Sequence, residues 1–197
     1  LPGLNTEGSY TGTWAVDIEA DGDLDIVVGA PSGLPLVLRN NGDGTFLAMH
    51  PFTSVSGTRQ FVWADLNGDG RTDIVTANSS ADTVTVLLNN GNESFSSSSY
   101  ALVGDPTDVA IGDINGDGHP DLVVSTATSI GGATANNVSV LLGNGNGTFA
   151  IPVNYALSGS PSSIVLADFN GDGRLDVATG TGLRVTILLN SGNGGLG

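Results

Sequence analysis

A repeat of about 48 residues limits this chain more than any other feature. Four segments superimpose: AVDIEADGDLDIVVGA from Ala15, WADLNGDGRTDIVTAN from Trp63, IGDINGDGHPDLVVST from Ile111 and LADFNGDGRLDVATGT from Leu166. Their leading aspartates, Asp17, Asp65, Asp113 and Asp168, stand 48, 48 and 55 residues apart. The longer third interval comes from a polar insertion, Thr128–Asn137 (TSIGGATANN). Such a period means that one supersecondary unit is stacked several times, because a single unit cannot bury its apolar face alone.

Each unit divides into four strand-sized pieces. In the second they are Gln60–Ala64, Asp73–Ala77, Thr83–Leu88 and Ser94–Leu102, separated by NGDG, SSAD and NNGN. Those turns hold residues that tolerate positive φ. Runs such as IVVGA and VTVLL are apolar on both faces, which suits strands covered on both sides. No window carries a capped 3.6-residue stripe. Four short antiparallel strands per unit predict an all-β chain, a β-propeller of four-stranded blades, over a β-sandwich that requires no such repeat. The whole of 1–197 reads as one propeller domain, with repeats at about 12–59, 60–107, 108–162 and 163–197. The last unit ends after its third strand, Arg184–Leu189, and residues 1–11 are expected to complete it, with Leu4–Tyr10 beside that strand. The chain begins at Leu1 without Met, which we read as a processed chain or a fragment.

Charge concentrates in the repeat. The chain has 20 acidic residues, 5 basic residues (all Arg) and a net charge of −15. This excludes sequence-independent nucleic-acid binding, which needs cations along the phosphates. It equally disfavours docking on an anionic membrane, and no apolar run is long enough to insert in one. At 13 % charged and 39 % hydrophobic residues, the chain is no solvated acidic tail. The absence of Cys removes disulfides and thiolate chemistry.

Fourteen of the acidic residues lie in four loops of the form D-x-[N/E]-x-D-G-x-x-D. The side-chain oxygens are those of Asp17, Glu19, Asp21 and Asp25; Asp65, Asn67, Asp69 and Asp73; Asp113, Asn115, Asp117 and Asp121; and Asp168, Asn170, Asp172 and Asp176. Asp23, Arg71, His119 and Arg174 would add a backbone carbonyl at position 7. Oxygens at 1, 3, 5, 7 and 9, with Gly at 6 for the turn, follow the ligand logic of a calcium loop. Carboxylates so crowded repel one another unless a cation neutralises them. Up to four Ca2+ ions are expected, since oxygen-only donors disfavour zinc and copper and magnesium keeps its waters. An EF-hand is excluded, because its position-12 Glu is replaced by Val28, Thr76, Val124 and Thr179. Loop one departs most, at Glu19, Ala20 and Asp23.

These repeats resemble the FG-GAP/VCBS family, which includes the calcium-binding blades of integrin α-subunit propellers. Gly29-Ala30-Pro31 follows the first loop and Phe61 precedes the second, as in that family. The resemblance implies a propeller, usually of seven blades, secreted or at the cell surface, that recognises proteins or glycans or serves larger enzymes. Four units leave three expectations: a complete small ring, half of a larger ring made by two chains, or part of a seven-bladed one.

Other signals are weak. Neither His50 nor His119 has a nucleophile motif beside it. Glu7, Asp43, Asp82, Glu93, Asp105 and Asp108 form no pattern. The GNGNGT run at Gly143 lacks the Lys and helix of a phosphate loop and reads as a hairpin turn. Trp14 and Trp63 are expected in the packing between blades. The expected function is therefore a non-enzymatic, extracellular recognition, adhesion or assembly module. The alternatives are a carbohydrate-binding lectin and the accessory domain of a polysaccharide-degrading enzyme. The most variable loops (Pro31, Asn78, Thr128 and Ser158 onward) fall on the face opposite the acidic loops, where a ligand is expected, with Ser129–Asn136 at its rim.

Overall fold

The computed structural model describes residues 12–29, 35–49, 57–91, 94–127, 129–130, 133–134 and 136–197. They form strands and turns with no helix among them, and hence none that could cross a membrane. Blade one comprises β1 (Gly12–Val16), β2 (Asp25–Gly29), β3 (Leu36–Asn40) and β4 (Phe46–Met49), hydrogen-bonded in that order. Blade two comprises β5 (Thr58–Ala64), β6 (Asp73–Asn78), β7 (Thr83–Asn89) and β8 (Phe95–Ala101). In blade three, β9 (Asp105–Gly112) and β10 (Asp121–Ala127) precede a separate small hairpin, β11 (Ser129–Ile130) with β12 (Ala133–Thr134). That hairpin lies in the insertion, and β13 (Asn137–Leu141) and β14 (Val153–Ala156) then complete the sheet. Blade four has three strands, β15 (Pro161–Ala167), β16 (Asp176–Thr181) and β17 (Arg184–Leu188).

All pairings are antiparallel, and the register repeats between blades. In blade two Trp63 faces Ile74, Ile74 faces Leu87 and Leu87 faces Ser97. Beyond β17 the C-terminal residues form a hairpin of β18 (Asn190–Gly192) and β19 (Gly195–Leu196). It is tied to blade three where Tyr155 donates to the Gly194 carbonyl at 3.1 Å. The expected Leu4–Tyr10 strand lies outside the described residues, as do Ala30, Pro31, Glu7, His50 and Glu93.

Strand alternation explains the core. Successive side chains point to opposite faces, so each middle strand feeds two interblade layers. Ile74 and Leu87 of blade two pack backward with Val16, Ile18, Val27 and Val37 of blade one. Val75, Ala77, Val84 and Val86 pack forward with Val109, Leu122, Val124 and Leu141 of blade three. Val123, Val138 and Val140 of blade three in turn meet Ile164 and Val177 of blade four. This double burial accounts for the uninterrupted apolar runs, and each fully buried Val, Leu or Ile contributes roughly 1.5–3 kcal/mol. Trp14 packs in the first layer, 4.9 Å from the Phe61 ring as measured between centroids. Trp63 does not follow the expectation, as it remains 39 % exposed.

Candidate metal centres and the opposite face

Loops two, three and four share one conformation, built by their first aspartate. Asp65 accepts backbone N–H bonds from Gly68 (2.7 Å), Asp69 (3.1 Å) and Gly70 (2.8 Å). Asp113 accepts from Gly116, Asp117 and Gly118, and Asp168 from Gly171, Asp172 and Gly173, at 2.7–3.2 Å. The position-3 amides of Asn67, Asn115 and Asn170 each accept from the position-5 N–H and donate to the position-5 carboxylate. Gly68 and Gly70 have φ of 76° and 81°, and a Cβ at either would meet no atom within 4 Å. Backbone conformation, and not space, requires glycine there.

The position-9 aspartates behave differently. Asp25, Asp73, Asp121 and Asp176 are all fully buried. One oxygen of Asp73 accepts from Leu66 N–H in the loop at 2.9 Å, and the other accepts from Asn89 N–H at the end of β7 at 2.8 Å. Asp25 does the same with Ile18 and Asn40, Asp121 with Ile114 and Gly143, and Asp176 with Phe169 and Asn190. This residue therefore clasps the loop to the end of the third strand in blades one and two, and to the chain two residues beyond it in blades three and four. Among the described residues no three His, Asp or Glu side chains gather as a metal cage. What remains near the loop surface is an oxygen set of two carboxylates and one amide, from positions 1, 5 and 3, with the position-7 carbonyl.

That set suits a hard cation. Backbone N–H groups, led by those of Arg71 and His119, hold the Asp69 and Asp117 carboxyls below the usual carboxylate range. The N–H of Gly173, first among others, does so for Asp168. These groups stay ionised. Burial pushes Asp73 and Asp121 the other way. In loops two and four, Arg71 and Arg174 pair with Asp69 and Asp172, so position 7 sets a cationic side chain against the position-5 carboxylate.

Loop one keeps the frame and loses the centre. Asp17 still accepts from Asp21 and Gly22 at 3.2 and 3.0 Å. Ala20 occupies the place of Gly68 with φ of 59°, a left-handed conformation costly for a residue with a Cβ. Glu19 leaves the loop and lies beside Asp25, 3.7 Å from Arg39 Nε. Burial first, and then its contact with Asp25, raise the Glu19 pKa to about 7.

The acidic loops and the third-to-fourth-strand turns share a face, as expected. The His119 ring lies against Gly145, where a Cβ would come within 2.5 Å of it, and Asp23 lies likewise against Gly42. On the opposite face a polar cavity of about 430 Å³ opens between blades two, three and four. Arg59, Ser79, Asp105, Thr107 and Ser162 are among its lining residues. The sequence reading placed the loops at Asn78 and Ser158 here but missed Arg59 and Thr107, whose only signal is a position at the start of an innermost strand. Asp105 also holds the neighbouring Asp82 carboxyl above its ordinary range through a shared hydrogen bond.

The FG-GAP-like repeat family matches this chain over residues 17–76, 65–124 and 129–179. No curated protein matches. Among solved structures, an Agrocybe aegerita lectin described as recognising non-reducing terminal N-acetylglucosamine is similar at 27 % identity and a TM-score of 0.58. The alignment covers 93 % of this chain and 49 % of the lectin, so the chain spans about half the lectin's length. The V. cholerae biofilm matrix protein Bap1 aligns at 17 % identity and a TM-score of 0.43, over 92 % of this chain and 37 % of Bap1. The repeated loops, the four-stranded blades and the matched span agree: this chain belongs to the FG-GAP-like repeat family.

Proposed function

We propose that the chain is a calcium-stapled, non-enzymatic recognition module of the extracellular space, and that its ligand is a glycan. The observation that carries the ligand class is the polar cavity between blades two, three and four. Its serine and threonine hydroxyls, one guanidinium and one carboxylate are the groups that hydrogen-bond sugar hydroxyls. Arg59 donates in a planar fork and Asp105 accepts, which suits adjacent hydroxyls of one pyranose. The likeness to an N-acetylglucosamine-recognising lectin supports this reading. Calcium in loops two to four would brace each blade and leave this face free; extracellular modules work with weak calcium sites of about 10⁻⁴–10⁻³ M.

The test is a glycan array followed by calorimetry on the glycans that bind, with N-acetylglucosamine-terminated chains included. Binding should be lost in Arg59→Ala and Asp105→Ala while melting behaviour is retained. An array without binding, or binding unchanged in both variants, would remove the glycan reading. A protein-adhesion role is the second reading, favoured by the β11–β12 hairpin that the insertion adds to blade three. Replacing Ser129–Asn136 with a two-residue turn should then weaken partner binding and leave folding intact.

A further inference from the structure

Every blade presents a forward face built from equivalent positions, and three of the four are covered. In blade two that face is Leu66, Val84 and Val86, and in blade three Ile114, Val138 and Val140, all at most 2 % exposed. Blade one contributes Ile18 and Val37, at 5 % and 1 %. The equivalents in blade four are Phe169, Val185 and Ile187, which are 46 %, 70 % and 49 % exposed. Val165 and Leu189 extend the same open stripe at 57 % and 43 %. The stripe has the composition of a blade interface and is left uncovered by the described residues.

We infer that the open face of blade four docks blade one of a second copy of this chain, head to tail. A polar pin repeated at the existing interfaces argues for that occupant. Asn89 Nδ2 of blade two donates to the Ile18 carbonyl of blade one at 2.8 Å. Asn190 Nδ2 of blade four donates to the Ile114 carbonyl of blade three at 2.7 Å. Between blades two and three, where Gly143 stands in the asparagine's place, Gly147 N–H donates to the Leu66 carbonyl at 3.2 Å. The acceptor next in this series is the carbonyl of Phe169, on the open face. The matching donor is Asn40 of blade one.

Asn40 is already held as its two equivalents are. It donates to Leu24 O at 3.2 Å and accepts from Gly42 N–H at 3.1 Å. Asn89 and Asn190 make the same pair of bonds and then add the pin. Around Asn40 the backward face of blade one, with Ile26 and Leu38, is only half-buried, whereas the equivalent Ile74 and Leu87 are 1 % exposed. One copy thus carries both halves of a joint whose three other examples are formed within the chain. A head-to-tail joint either closes a two-copy ring or extends as a series, depending on the rotation per joint.

The test uses light scattering on the wild-type chain and on two variants, Ile187→Asp in the tail and Leu38→Asp in the head. The wild type should run at twice its 19.7 kDa mass or above. Each variant alone should be a monomer, because it lacks one half of the joint. Mixed together they should form two-copy particles, since one supplies a sound head and the other a sound tail. If Leu38→Asp loses its strand signal in circular dichroism, Asn40→Asp replaces it, with association expected to weaken about tenfold. A monomeric wild type would overturn the inference, as would self-association of the head variant alone, which would mean tail-to-tail contact. A mixture that stays monomeric would overturn it too.

Discussion

Loop one and loops two to four have the same outline and different interiors. All four begin with an aspartate that gathers backbone N–H groups and end with a buried aspartate that reaches the end of the third strand or the residues just beyond it. Only three keep an asparagine at position 3 and glycine at position 4, with the position-3 and position-5 side chains hydrogen-bonded to each other. In loop one, Glu19 has left for Arg39 and Asp25, and Ala20 bears the left-handed conformation. The difference teaches that shape and charge are separable in this repeat. Positions 1 and 9 fold the hairpin; positions 3 and 5 complete the oxygen set.

That separation predicts a graded series. The largest effect should come from the clasp. Asp73→Ala or Asp121→Ala orphans two or more buried N–H groups, at about 1–3 kcal/mol each. Urea denaturation in chelator should show a loss of roughly 3 kcal/mol or more, against little change for Asp69→Ala. Similar losses from the two kinds of variant would mean that position 9 is no clasp.

Calcium should narrow that gap. A site filled at a hundred times its Kd contributes about 2.7 kcal/mol. Asp69→Ala and Asp117→Ala should each forfeit most of that increment, and Asp21→Ala in loop one much less. Equal forfeits at all three positions would erase the distinction between the loops.

Ala20→Gly should stabilise the chain by about 1 kcal/mol, by relieving a left-handed alanine. A further effect is a pH dependence. The Glu19 carboxyl titrates near 7 in the folded chain against an ordinary 4.5, so the unfolded chain loses this proton first. Its favourable contribution is present below pH 4.5 and is lost as pH rises through about 7. In chelator, melting temperature should fall over that window, and Glu19→Gln should flatten the fall.

The local patterns were legible in the sequence. The period, the strands of blade two and the acidic loops were all marked by glycine and aspartate at fixed offsets, and such signals are local. The double role of aspartate was not legible. Asp73 reads as a ligand by spacing, yet its partner Asn89 lies on another strand, and only the β6–β7 register brings the two together. The pins of Asn89 and Asn190 span 71 and 76 residues and leave no short motif. The loops at Asn78 and Ser158 were legible on the variable face, but Arg59, Asp105 and Thr107 were not, because a cavity shared by three blades depends on how the blades pack. For Trp63 the period gives the strand and its face; it does not say how far neighbouring side chains extend over the ring.

Calcium titration of chelator-stripped protein, read by calorimetry and by melting temperature on the same sample, tests the central claim most directly. The account predicts three equivalents of similar affinity from loops two to four, a weaker or absent fourth from loop one, and a melting temperature that rises as the three fill. Magnesium should reproduce little of this. A stripped protein that takes up no calcium and melts at the same temperature with and without it would contradict the account.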